Sequence, residues 1–178
     1  SRESAQDWVE ATANRFGRID VLINNAGILR MVKIEGKEDK EDDLNLDQMW
    51  QINVKGPFWL SRYAFPYLKD AGSGRVITIA SLSGKRVKGL SAGYSMSKFA
   101  VMALSESIRN AGWDAGVRAT AICPGWVNTD MPKGLCQLDT ETITQPESIA
   151  EVVATLLTLP NSAVVSEVKI GCELETGV

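Results

Sequence analysis

Histidine is absent from all 178 residues, and that one absence removes several chemistries. A Ser-His-Asp triad, a His-activated cysteine and an imidazole metal ligand are all excluded. Any proton transfer falls to tyrosine, lysine, aspartate or glutamate. Cysteine is scarce too: Cys123, Cys136 and Cys172 are odd in number and show no CxxC spacing. Neither a disulfide framework nor a metal site is expected, and a reducing, cytoplasmic setting fits. No apolar run approaches the ~20 residues that cross a bilayer, and no signal peptide is read at the start. The net charge of -3 gives no electrostatic reason to expect a nucleic acid or an anionic membrane as partner. The acidic stretch Glu35 to Asp43 has lysines mixed into it and reads as a solvated loop.

What is present is ordinary globular composition, 44% hydrophobic and 23% charged, enough for one domain with a sizeable core spanning residues 1–178. Ala5, Trp8, Val9, Thr12, Ala13 and Phe16 recur at helical spacing up to Gly17. Ile19 to Asn24 is a short apolar run of strand type that stops at Asn-Asn-Ala-Gly. A long helix is predicted from Leu46 to about Ala71, with Gly56-Pro57 and Pro66 as its internal breakers. Arg75 to Ala80 reads as a buried strand, Ala92 to Ala111 as a helix, and Val117 to Cys123 as a third strand closed by Pro124-Gly125. A helix over 147–159 and a strand over 164–170 complete the pattern. Strands alternating with helices of a dozen or more residues predict parallel βαβ units in an α/β fold, with four strands.

Tyr94 and Lys98 are one helical turn apart and share a face, and Ser81 lies thirteen residues before Tyr94 at a strand end. An ammonium beside a phenol favours the phenolate, so the pair is expected to lower the Tyr94 pKa and form a general acid and base. Ligands of open α/β sheets bind beyond the carboxyl ends of the strands. Asn24 to Gly27, Ser81 and Pro124-Gly125 all follow such ends, so they are expected to converge beside the Tyr94/Lys98 helix. Taken singly each has a plainer reading. Asn53 could satisfy backbone groups at a helix irregularity, Ser81 could cap a strand, and Pro124-Gly125 could be only a turn. Cys123 reads as a small buried hydrophobe, since no base is there to activate it.

Asn24-Asn25-Ala26-Gly27, Asn53, Ser81, Tyr94-Ser95-Met96-Ser97-Lys98 and Pro124 to Thr129 follow one another in an order and spacing that resembles the short-chain dehydrogenase/reductase family, over essentially the whole chain. The resemblance implies a three-layer, Rossmann-type, doubly wound parallel sheet. It implies an NAD(P)-dependent oxidoreductase that interconverts a ketone or aldehyde with an alcohol, and a homodimer or homotetramer. On that resemblance Tyr94, Lys98, Ser81 and Asn53 are the catalytic residues. Tyr94 exchanges the proton, Lys98 assists it and bonds the nicotinamide ribose, Ser81 holds the substrate oxygen, and Asn53 anchors a water chain. Asn25, Ala26, Gly27, Pro124, Gly125, Val127 and Thr129 would line the cofactor, with a lean towards NADP from the carbonyl-reductase-like string around Pro124.

The family's glycine-rich turn and its first βαβ units find no match here. The first recognisable strand corresponds to the family's fourth, so the natural protein is expected to be longer and one flank of Ile19 to Asn24 is expected to be exposed. The alternative reading is a catalytically silent scaffold of the same fold. Substrate identity is read only from the loop Met131 to Thr144. Its Met131, Leu135, Leu138 and Ile143, with Lys133 as a lone charge, suggest a small or medium apolar carbonyl compound.

Overall fold

The computed structural model describes residues 1–37, 40–89, 91–131, 134–136 and 138–173. Its elements are α1 (Arg2–Phe16), β1 (Val21–Asn24), α2 (Asp42–Met49), a π-helical stretch (Trp50–Lys55), α3 (Gly56–Asp70), β2 (Arg75–Ile79), a 3-10 turn (Leu82–Gly84), α4 (Ala92–Gly112), β3 (Arg118–Pro124), α5 (Pro146–Thr158) and β4 (Glu167–Ile170). The four strands form one parallel sheet in the order β1-β2-β3-β4.

Helices cover both faces. On one, Val9 and Ala13 of α1 and Ala64 and Leu68 of α3 pack with Ile108 of α4 against Leu22, Val76 and Ala119 of the strands. On the other, Ile149 and Leu156 of α5 pack on Ile77 and Ile122. Adjacent strand residues therefore alternate between two apolar layers, which is why the strands read as continuous apolar runs. Burying a Leu or Ile side chain contributes roughly 1.5–3 kcal/mol, so these two layers supply most of what opposes chain entropy. The result is an α/β, Rossmann-type fold.

Three local outcomes differ from the sequence reading. Trp8 and Phe16 are 61% and 71% exposed, because the buried stripe of α1 is Ala5, Val9 and Ala13 alone. The helix expected from Leu46 begins at Asp42, inside the stretch read as loop. Two aspartates in its first turn suit the positive end of the helix dipole. The long helix is instead three pieces, since the six residues Trp50–Lys55 widen into π geometry before Pro57 opens α3, whereas Pro66 lies inside α3 without ending it.

Strand β1 forms one edge of the sheet, with Val21 and Ile23 38% and 43% exposed, as the exposed flank anticipated. Because all strands are parallel, Asn24, Ile79 and Pro124 end on the same side. The segments leaving these three ends build the site.

Candidate active site

A cleft of about 860 Å³ opens beyond those strand ends. Of the residues singled out from the sequence, Asn25, Ala26, Gly27, Ser81, Tyr94, Lys98, Pro124, Gly125, Val127 and Thr129 all line it. Asn53 does not reach the wall; it is 2% exposed, directly behind it. Met131 and Leu135 line the cleft, whereas Ile143 is buried away from it and Leu138 is half-buried off the wall. Lys133 lies outside the described residues.

Ser81 follows β2 in extended backbone and caps the 3-10 turn, its Oγ accepting from the Ser83 N–H at 3.0 Å. Its hydroxyl donates to the Pro124 carbonyl at 3.5 Å and lies near enough to the Tyr94 phenol to favour the phenolate. Helix α4 brings Tyr94 there because Ser91 is its N-cap, Oγ accepting from the Tyr94 N–H at 3.3 Å. Lys98, one turn on, is 5% exposed. It donates from Nζ to the Ile79 carbonyl at 3.0 Å and lies 5.6 Å from the centre of the Tyr94 ring.

The electrostatics correct one expectation. The Tyr94 pKa is raised, not lowered: burial of the phenol outweighs the pull of the neighbouring Ser81 hydroxyl, and no pull from Lys98 offsets it. Burial acts on Lys98 as well, bringing its pKa down to about 8. Burial therefore biases both groups towards neutrality. Cys123, fully buried with Sγ 3.5 Å from the Met102 sulfur, is held up at about 11 by burial. It packs as a small hydrophobe and is no nucleophile.

A stability consequence follows from Lys98. The unfolded chain keeps this lysine protonated up to about its ordinary 10.5, the folded protein only up to about 8. Between those values the unfolded state holds more protons, so stability rises with pH through that window. Tyr94 works in the opposite direction, but only above its ordinary 10.0. Urea midpoints from pH 7 to 10 should climb in the native protein relative to Lys98→Met. Parallel profiles would show that the ammonium carries no burial penalty.

Asn53 is aimed by the π-helical stretch, a distortion that turns its side chain off the helical register. Its Oδ1 accepts from the Ile28 N–H at 2.8 Å, and its Nδ2 donates to the Ile28 carbonyl at 2.9 Å and to Ser97 Oγ at 3.0 Å. Ser97, fully buried, donates from its Oγ to the Tyr94 carbonyl at 2.7 Å. A Cβ on Gly27 would sit 3.4 Å from Lys98 Nζ and 3.5 Å from Asn53 Oδ1, so the bare backbone there leaves the space over both groups open. Asn53→Ala would orphan both Ile28 backbone groups and should cost about 1–3 kcal/mol in chemical denaturation. A loss below a few tenths would mean that water replaces the amide.

Ser97 and Ser91 were missed as parts of the site. Ser97 is hidden within the Tyr-x-x-x-Lys string. Ser91 could have been found as a serine one residue before a predicted helix, and it does more than cap. Its Oγ also donates to the Arg30 carbonyl at 2.6 Å and accepts from the Val32 N–H at 3.3 Å.

Fold and site together place the protein among open α/β domains whose reactive side chains gather beyond the strand ends. Within that class the chain belongs to the short chain dehydrogenase family, whose family model matches residues 1–138. Agropine synthesis reductase of Rhizobium rhizogenes is 39% identical over 95% of the chain and 39% of its own length. An uncharacterized oxidoreductase of Staphylococcus aureus (strain USA300) is 31% identical over 96% of the chain and 71% of its own length. The chain thus spans about two fifths of the agropine synthesis reductases it matches. Among solved structures, an alcohol dehydrogenase from the archaeon Thermococcus sibiricus complexed with 5-hydroxy-NADP superposes with a TM-score of 0.85. It is 24% identical and covers all of this chain and 73% of its own, a likeness of fold. Among the described residues no helix is long and apolar enough to cross a membrane.

Proposed function

We propose that the protein is an NAD(P)-dependent oxidoreductase interconverting a ketone or aldehyde with an alcohol. The observation that carries this reading is the meeting of Ser81, Tyr94 and Lys98 in one cleft, with the Ser81 hydroxyl beside the phenol. Asn25, Ala26, Gly27, Pro124, Gly125, Val127 and Thr129 would hold the nucleotide along the remaining wall, and the open space beside Gly27 suits a group lying against Lys98. The nicotinamide supplies or accepts the hydride. NADP is favoured over NAD because the Thermococcus sibiricus enzyme is complexed with 5-hydroxy-NADP and a second structural relative is described with NADP bound.

This chain's own residues handle the proton and the oxygen. The Ser81 hydroxyl donates to the carbonyl oxygen where negative charge develops. Tyr94 gives that oxygen its proton in reduction and takes it back in oxidation. Lys98 is held near Tyr94 by the Ile79 carbonyl, where its charge favours the phenolate as it forms. Asn53 and Ser97 fix the loop at Ile28 and the carbonyl of Tyr94 to each other. They keep the acid in place and leave a polar route behind Lys98. A homo-oligomer is part of the same reading: Phe58 and Phe99 are exposed enough for an interface, whereas Phe65 and Met102 pack inwards.

The test is oxidation of NADPH and NADH by the full-length natural protein with a panel of aldehydes and ketones. Turnover with either nucleotide supports the assignment; none with any carbonyl compound favours the silent scaffold of the same fold.

A further inference from the structure

Residues 28–32, which follow the turn after β1, alternate in what they do. Leu29 and Met31 line the cleft. Ile28, Arg30 and Val32 instead have backbone groups bonded to side chains of the neighbouring helical elements. Asn53 holds Ile28. The Arg30 N–H meets the Met49 sulfur at 3.4 Å, and the Arg30 carbonyl accepts from Ser91 Oγ at 2.6 Å. The Val32 N–H donates to that same oxygen at 3.3 Å.

Tyr94 is held to this strip through both of its own peptide groups. Its N–H donates to Ser91 Oγ at 3.3 Å, and that oxygen continues to Arg30 and Val32. Its carbonyl accepts from Ser97 Oγ, which is joined through Asn53 to Ile28. The two routes are unequal. Ser97 needs Asn53 to reach the strip, whereas Ser91 crosses to it directly. Capping α4 requires only the bond from the Tyr94 N–H, so the bonds to Arg30 and Val32 go beyond that need. With one proton donated and two N–H groups accepted, the hydroxyl has its full capacity in use. Ser91 is 6% exposed, so water has little access to take its place. Close packing adds to the fit: a Cβ on Gly93 would lie 2.7 Å from Met49 Cε and 3.0 Å from Leu46 Cδ1.

We propose that Ser91 is a positioning residue for the reaction, its one hydroxyl setting the Tyr94 phenol against the wall of Leu29 and Met31 on which the carbonyl substrate lies. The proposal rests on the oxidoreductase reading of this site and adds a residue that acts through Tyr94. Ser91 lines the cleft, but it has no hydrogen left to offer a ligand while it donates to Arg30. Proton transfer depends steeply on placement, an error of about 1 Å costing on the order of 10²-fold. The Ala92 N–H bond to the Val32 carbonyl at 2.8 Å survives removal of the hydroxyl, so a partial loss is expected.

The full-length natural protein carries the test, with kinetics taken where every variant is folded. Ser91→Ala should lower kcat about tenfold. KM for nucleotide and for aldehyde should stay within about twofold, as for a loss confined to the transition state. Ser91→Thr keeps the hydroxyl and should return kcat to within about threefold of native. Added to Tyr94→Phe, Ser91→Ala should cost nothing further, because no phenol remains to be placed. Amide exchange supplies a readout that needs no turnover. In Ser91→Ala the Val32 and Tyr94 N–H groups should exchange faster together, while the Ile28 N–H, held by Asn53, keeps its protection. Native kcat in Ser91→Ala, the full loss repeated on Tyr94→Phe, no rescue by Ser91→Thr, or unchanged exchange each overturns the positioning role and leaves the oxidoreductase standing. A raised aldehyde KM with kcat intact also overturns it, by assigning Ser91 to substrate binding. No turnover of any carbonyl compound by the native protein sinks the oxidoreductase reading and this role with it, whatever the exchange pattern.

Discussion

Tyr94→Phe should lower kcat by 10²–10⁴-fold, the range set by removing a general acid and base, and leave thermal stability almost unchanged. The phenyl ring keeps the packing of α4 against the cleft wall, and the loss is one hydroxyl beside Ser81. Ser81 retains its bond from the Ser83 N–H, so no buried polar atom is stranded. KM should move little, because the proton passes only in the transition state. Kinetics and a melting curve on the same preparation decide it. Turnover within a fewfold of the native enzyme would remove Tyr94 from the chemistry, and a collapsed melting temperature would make the rate loss uninformative. The raised pKa of Tyr94 sharpens the expectation. A phenol biased towards its protonated form is a ready donor for reduction, and oxidation demands that a bound ligand or Lys98 first ease the proton away.

The largest effect on stability should come from the opposite end of the sheet. Gly116, just before β3, has φ +79°, and a Cβ built there would lie 1.9 Å from the Gly72 carbonyl oxygen. That oxygen is backbone, tied to Asn161 Nδ2 at 3.0 Å, so it cannot swing aside as a flexible side chain could. Gly116→Ala should therefore cost about 3 kcal/mol or more, a left-handed backbone penalty plus displacement of a fixed neighbour. Gly17 is the control. It has nearly the same φ, +77°, and an added methyl would meet nothing within 4 Å, so Gly17→Ala should cost only about 1 kcal/mol. Equal losses at the two positions in urea denaturation would refute the steric part. With total stabilities of roughly 5–15 kcal/mol, the Gly116 variant stands close to unfolding.

Much of this was legible from residue order because the strands are covered on both faces. Their apolar runs stop at Asn-Asn-Ala-Gly, at Ser81 and at Pro124-Gly125, and in a parallel sheet those stops share one side. Helical spacing alone put Tyr94 and Lys98 on one face. What failed to show depends on more than spacing. The π geometry of Trp50–Lys55 is a shift in backbone hydrogen bonding with no residue signature of its own. The direction of the Tyr94 shift was misread because attraction to an ammonium can be inferred from a motif, whereas depth of burial cannot. Arg86 and Lys88 were not singled out in the residue order; the turn after Ser81 brings them to the cleft. Trp8 and Phe16 matched a helical period yet lie outside the stripe that packs on α3.

The hydroxyl of Ser91 has one more implication. It grips the chain at Arg30, at Val32 and at the first turn of α4 simultaneously, while the Ala92 N–H adds a fourth tether to the Val32 carbonyl at 2.8 Å. Two borders of the cleft are thereby riveted through a single oxygen. A guest that nudges the strip around residues 30–32 must also tug the acid-bearing helix, so arrival at one border is felt at the other without any hinge between them.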